Sequence, residues 1–123
     1  MDKLLLLISD ARLRQLYHEL LTSENFEIVA ASTVENALVL QTLENISILI
    51  IYPDDTDSKM INTLLHLEKT VKQFSKTRII VLTADTEQYA SLLSPTDVTI
   101  NTMHLNPDEI VKKIKQVLLS KKR

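Results

Sequence analysis

Three aspartates, Asp54, Asp55 and Asp57, stand within four residues of one another. Such a dense group of hard oxygen ligands could bind Mg²⁺, and any one of these carboxylates could accept a transferred group. Asp10 could join Asp54 or Asp55 in weak binding of a divalent cation. A simpler interpretation is that the cluster ends a strand, forms a turn and caps the next helix. We favour it for the cluster, and helix capping explains Asp10 equally well.

The remaining side chains offer little catalytic chemistry. His18, His66 and His104 are scattered without the spacing of a ligand set, and there are no cysteines. His104 is the most notable of the three because it follows the last predicted strand, close to where a ligand crevice would lie. A lone histidine without a positioned carboxylate is weak evidence of catalysis. The sequence therefore predicts no enzyme active site.

Composition narrows the classes of function further. A chain of 123 residues with 45% hydrophobic content predicts one domain over residues 1–123. A net charge of −2 gives no strong attraction to nucleic acid or to an anionic membrane. No apolar run is long enough for an export signal or a membrane span, so we expect a cytoplasmic protein.

The sequence contains no glycine. Phosphate-cradling and dinucleotide-binding loops need glycine for close backbone approach, so a nucleotide or flavin site of the usual kind is not expected. Tight turns must then be formed by Asn, Asp, Ser or Pro.

Strand-like and helix-like segments alternate along the whole chain. The apolar run at residues 48–51 predicts a strand buried on both faces, as in a parallel sheet covered by helices. Strands are predicted at residues 4–8, 26–31, 46–52, 79–83 and 98–102, with helices at about 11–21, 33–43, 58–74, 86–93 and 107–118. Five such β/α units with right-handed crossovers predict a flavodoxin-like three-layer α/β sandwich, (βα)5, with a parallel sheet in the order 2-1-3-4-5.

Two of these helices carry clear start signals. Ser32 and Glu35 have the spacing of a capping box, and Asn106 and Glu109 have the same spacing with Pro107 between them.

With this layout, the chain resembles the response-regulator receiver domain, the CheY-like family, over essentially its whole length. The likeness depends on the five units, on Pro53 after the third strand, on Thr83 followed by Ala84, and on NPDEIVKKIKQVL as the last helix. In that family, an acidic pair after the first strand binds Mg²⁺, and an aspartate ending the third strand accepts a phosphoryl group from a histidine kinase. A Thr or Ser on the fourth strand and a Lys on the fifth contact the phosphate.

Most of these family residues have no counterpart here. With Arg14 as the matched arginine of the first helix, the acidic pair falls on Ile8 and Ser9, with Asp10 one place beyond. The acceptor falls on Tyr52, or on Leu49 if counted back from the proline. The remaining positions fall on Met103 for the lysine, Ile100 for the switching aromatic, and Thr83, which alone is matched.

The resemblance therefore implies a degenerate pseudo-receiver. A phenol is neutral at neutral pH and cannot form an acyl phosphate, and Met103 brings no charge to balance a phosphoryl group. We expect a bacterial two-component signalling domain that acts by protein–protein interaction without Asp phosphorylation. No cofactor is expected, and weak binding of Mg²⁺ stays open.

In receivers, the usual docking surface comprises the fourth helix, fifth strand and fifth helix. By resemblance, the partner-contact candidates are Tyr89, Ile100, His104, Lys112 and Lys115. A solvated helix face explains the lysines without nucleic-acid contact, and an ordinary surface tyrosine explains Tyr89. The sequence does not identify the protein partner, and it leaves open whether the chain forms a homodimer.

Two other hypotheses stay open. One is an unconventional phosphoacceptor that uses Asp54 or Asp55 with Mg²⁺. The other is a small-molecule enzyme or cofactor carrier on the same fold, against which the missing glycines and the lack of an acid, base and nucleophile set both argue.

Overall fold

The computed structural model describes residues 3–53, 66, 69, 77–84, 86–90 and 98–120. The strands are β1 (Lys3–Ile8), β2 (Glu27–Ala31), β3 (Ile48–Tyr52), β4 (Arg78–Thr83) and β5 (Val98–Asn101). The helices are α1 (Ala11–Ser23), α2 (Val34–Leu43), a short helix (Thr86–Ala90) and the C-terminal helix (Pro107–Ser120). The predicted helix at 58–74 lies outside the described residues except for His66 and Lys69, which are both helical.

All strand pairs are parallel, and the sheet order is β2-β1-β3-β4-β5. The predicted flavodoxin-like order is therefore confirmed. β1, β3 and β4 occupy the centre, which explains why their sequences are continuous apolar runs rather than alternating ones. β2 lies at an edge of the sheet, and its Glu27 is exposed to solvent.

Alternate residues of the central strands build a core on each side of the sheet. The side covered by α1 and the C-terminal helix contains Leu6, Ile50 and Leu82, together with Tyr17. The other side, covered by α2, contains mainly Leu5, Leu7, Ala37, Leu49, Ile51, Ile79, Val81 and Tyr89. Helices therefore cover both faces, as the sequence predicted.

The helix caps follow the sequence closely, with one correction. Asn106 Oδ1 accepts from the Glu109 N–H at 2.9 Å, and Glu109 Oε1 accepts from the Asn106 N–H at 3.3 Å, so this capping box is confirmed. The cap predicted at Ser32 is wrong. Thr33 is the N-cap of α2, and its hydroxyl accepts from the Asn36 N–H at 3.2 Å. Ser and Thr are both strongly preferred N-cap residues, so a Ser followed directly by a Thr leaves the start of the helix uncertain by one position.

In the described part of this glycine-free chain, two residues adopt a left-handed backbone conformation. Asn25 has φ of 69°, which agrees with the expectation that Asn replaces Gly in turns. His104 has φ of 64°, although histidine was not among the expected turn residues. Left-handed histidine is uncommon but enriched relative to most residues.

Some large apolar side chains of the helices are exposed to solvent. Leu16 of α1 is 37% exposed, and Val39 and Leu43 of α2 are 54% and 72% exposed. Within the described residues, no helix combines the length and the apolar character needed to cross a bilayer.

The Tyr17 hydroxyl provides a test of packing under α1. Burial, with a smaller contribution from Tyr52, raises the pKa of Tyr17 to about 12 from the ordinary value of 10.0. Because the folded state holds this proton more tightly, its stabilising contribution is present below about pH 10 and is lost as pH rises towards 12. The loss is at most about 2.7 kcal/mol.

We expect the free energy of unfolding in urea to fall between about pH 9.5 and 11.5, and to fall further for the wild type than for Tyr17→Phe. The variant keeps the ring at position 17 but has no hydroxyl to ionise. Parallel pH profiles for the two proteins would show that the hydroxyl is solvated.

Candidate functional site

The carboxyl ends of the parallel strands meet at one edge of the sheet, where ligands bind in open α/β folds. The pairing register places Tyr52 of β3 level with Ile8 of β1, and Thr83 of β4 level with Asn101 of β5. This edge therefore presents an aromatic, an aliphatic, a hydroxyl and an amide side chain. Three of these four described side chains can form hydrogen bonds, and none of the four is charged.

Tyr52 packs against the core instead of projecting freely into the crevice. It is partly buried on the α1 side of the sheet, and its ring lies 6.3 Å from that of Tyr17 at an interplanar angle of 42°. Tilted aromatic pairs at this distance contribute a favourable interaction in addition to that from burying their apolar area. The role of Tyr52 in the described structure is therefore packing.

Ser9 and Asp10 follow β1 and are both exposed. Asp10 Oδ1 accepts from the N–H groups of Arg12 at 2.9 Å and Leu13 at 3.1 Å. The expectation that Asp10 caps a helix is therefore confirmed.

Arg14 contributes a positive charge at the end of β1. Its Nη1 donates to the Ile8 carbonyl at 2.8 Å and to the Ser9 carbonyl at 3.3 Å. From the sequence, Arg14 is identified only as the matched arginine of the first helix, with no predicted contact. The spacing is a signal for this contact. Arg14 lies four residues after the cap Asp10, one helical turn along α1, and a side chain of that length can reach back to the last carbonyls of the preceding strand. The guanidinium therefore hydrogen-bonds to the carbonyl oxygens of the last residue of β1 and of the residue after it.

The β5 side of the edge forms a tight turn. Thr83 is 2% exposed, and its carbonyl accepts from the Thr102 N–H at 3.0 Å. Asn101 Oδ1 accepts from the Met103 N–H at 2.8 Å, and the Met103 side chain is exposed. No lysine occurs in residues 98–106, so this turn carries no ammonium group.

Ile8 and Tyr52, the described residues at the ends of β1 and β3, do not provide the ligands that a magnesium ion needs. Mg²⁺ prefers carboxylate and other hard oxygen ligands in octahedral geometry, whereas Ile8 and Tyr52 offer an alkyl group and a packed phenol. Among the residues that the structure describes, no three His, Cys, Asp or Glu side chains group closely enough to hold a metal. Asp54, Asp55 and Asp57 lie outside the described residues.

Two of the predicted partner contacts are not at the surface. Tyr89 is 1% exposed and packs in the core beside α2, and Ile100 is 5% exposed in the core beside α1. The expectation that Tyr89 is exposed is therefore wrong. The short helix has an indistinct apolar face in sequence, so the direction of Tyr89 could not be read from its pattern.

The other three candidates are at least partly accessible. His104 and Lys112 are exposed. Lys115 is held in an ion pair, with its Nζ 2.7 Å from Glu24 Oε2. This pair joins the C-terminal helix to the end of α1, so part of the basic character of this helix is used within the chain.

No family model matches the sequence, and no curated protein matches it either. Solved structures do match. The response regulator TrrA from Thermotoga maritima, in complex with Mg²⁺–BeF, aligns with a TM-score of 0.70 at 24% identity, covering 95% of this chain and 99% of that one. The chemotaxis response regulator CheY4 of Vibrio cholerae aligns with a TM-score of 0.73 at 17% identity, covering 95% and 98%.

A probable two-component response regulator with a GGDEF domain aligns with a TM-score of 0.79 at 13% identity, covering all of this chain and 51% of that one. At such identities the likeness establishes the fold. The chain has the CheY-like, flavodoxin-type fold of response-regulator receiver domains, with five parallel strands in the order 2-1-3-4-5.

Proposed function

We propose that this chain is a receiver-like signalling domain that acts by binding another protein, without phosphorylation of an aspartate. The observation that carries the proposal is the placement of Tyr52, which stands level with Ile8 at the carboxyl edge and packs against Tyr17. By the resemblance, the acceptor carboxylate falls on Tyr52 by strand length, or on Leu49 if counted back from Pro53, and neither residue is a carboxylate. An acyl phosphate requires a carboxylate nucleophile, and a packed phenol cannot supply one.

The surrounding residues support the same proposal. Ile8 and Ser9 stand where the family has its metal-binding acids, and the Arg14 guanidinium is bonded to their carbonyls. Met103 stands where the family has its lysine, and it is exposed. A phosphoryl group in this crevice would therefore lack both the metal and the ammonium that balance its charge.

We place the whole of residues 1–123 in one receiver-like domain of a bacterial, cytoplasmic two-component pathway. Support comes from the alignments, which cover 95% or more of this chain with response regulators of Thermotoga and Vibrio. Without phosphorylation there is no phosphorylation-driven conformational switch, so the partner recognises the shape and surface charge of the domain.

Calorimetric titration with Mg²⁺ and beryllofluoride tests this proposal. We expect no binding heat above dilution, because the crevice offers neither the carboxylates for the metal nor the lysine for the fluoride. The Thermotoga protein solved in complex with Mg²⁺–BeF serves as the positive control. Saturable binding to this chain would refute the proposal.

The second hypothesis, a displaced acceptor at Asp54 or Asp55, rests on the density of carboxylates after β3. Acetyl phosphate treatment of the wild type, Asp54→Asn and Asp55→Asn separates it from the first. Loss of a phosphoryl adduct in one variant alone would identify the acceptor, whereas no adduct in any of them is the result that our proposal expects.

A further inference from the structure

β5 presents an outer edge to which, within the described part of the sheet, no strand is bonded. The Thr102 N–H donates to the Thr83 carbonyl of β4 at 3.0 Å, and β5 is paired with β4 from Val98 to Asn101. Backbone groups of successive residues in a strand point to opposite sides. The N–H and C=O groups of Thr99 and Asn101 therefore point away from β4, towards the outer edge.

This edge borders a groove with a volume of ≈ 340 Å³. One wall is β5 itself, and the other consists of Lys113, Gln116 and Val117 of the C-terminal helix. Among the described lining residues, Lys113 has an ammonium group and none has a carboxylate. The described part of the groove therefore combines outward backbone donors and acceptors, some apolar surface and the positive charge of Lys113.

We propose that this groove binds an extended, acidic segment of a partner protein, which adds to the sheet as a strand beside β5. The inference rests on the proposed protein-binding function and specifies the chemistry of the partner. Backbone hydrogen bonds with Thr99 and Asn101 supply affinity, and an Asp or Glu of the segment meets Lys113. Lys115 is less suited to this role because it is paired with Glu24.

The charges favour such a partner over a second copy of this chain. The sequence of β5 is VTIN, which has no carboxylate to meet Lys113. Two copies pairing through β5 about a two-fold axis would also bring like-charged Lys113 side chains to one interface. An acidic partner strand removes that conflict.

A random decapeptide display library, selected against the immobilised full chain, tests the inference. We expect enrichment of peptides that alternate β-branched residues with Asp or Glu, and protection of the Thr99 and Asn101 amides from hydrogen exchange when a synthetic copy binds. Lys113→Glu should weaken its binding about tenfold, an effect that salt reduces. The matched control is Lys112→Glu, which reverses an exposed charge outside the groove lining and should change affinity less than about twofold.

Failure of selection, enriched peptides without acidic residues, binding that leaves both amides unprotected, or equal losses for the two lysine variants would each overturn this inference. Dimers in solution that are broken by Lys113→Glu would do so as well, in favour of a second copy. None of these outcomes affects the claim that the chain is not phosphorylated, which the Mg²⁺ and beryllofluoride titration tests separately.

Discussion

Replacing Ile50 with alanine should lower the free energy of unfolding by about 2–5 kcal/mol, the range for large-to-small changes in a packed core. Ile50 is fully buried in β3, between β1 and β4, and packs in the core beside α1 and the C-terminal helix. Its neighbours are held by sheet hydrogen bonds and cannot close the cavity readily. Urea denaturation monitored by far-ultraviolet circular dichroism measures the change.

Val39→Ala is the matched control, because it also shortens a β-branched side chain but at a position that is 54% exposed. We expect its free energy of unfolding to stay within about 0.5 kcal/mol of the wild type. A loss below about 1 kcal/mol for Ile50→Ala would mean that β3 is not the centre of the sheet.

Changing Tyr52 to aspartate should lower the free energy of unfolding by about 2–4 kcal/mol. The substitution removes a partly buried ring from its contact with Tyr17 and places a carboxylate against the same apolar surface. The loss should be smaller in acid, because protonation of the new carboxyl removes the buried charge. Denaturation at neutral and acidic pH measures both effects.

Tyr52→Phe keeps the ring and removes only the hydroxyl, so it should stay within about 1 kcal/mol of the wild type. If the aspartate variant were as stable as the phenylalanine variant, Tyr52 would have no packing role. By our proposal, the aspartate variant also remains unphosphorylated. A single new carboxylate restores neither the acidic pair that the resemblance places at Ile8 and Ser9 nor the lysine that it places at Met103.

The parallel sheet and its strand order could be predicted from the sequence, because β1, β3 and β4 are continuous apolar runs separated by helix-forming segments. Strict alternation of strands and helices leaves few topologies, and the right-handed crossover rule selects among them. The caps at Asp10 and Asn106 were predictable for a similar reason, since capping depends on local chemistry. The choice between Ser32 and Thr33 was not, because both have the required hydroxyl.

The site was less predictable because its features depend on tertiary contacts. Tyr89 is buried by elements far away in sequence, and its short helix gives no clear periodicity. The reach of Arg14 to the β1 carbonyls requires the geometry of the turn at Ser9 and Asp10. The groove beside β5 requires both the strand order and the position of the C-terminal helix, which is why Lys113 was not singled out from its neighbouring lysines.

The most direct test of the central claim is intact-mass spectrometry of the full chain after incubation with acetyl phosphate and Mg²⁺. The packing of Tyr52 and the guanidinium at the end of β1 predict an unchanged mass, under conditions in which the Thermotoga response regulator used as a control gains one phosphoryl group. A stable phosphoryl adduct mapped to any aspartate of this chain would contradict the account.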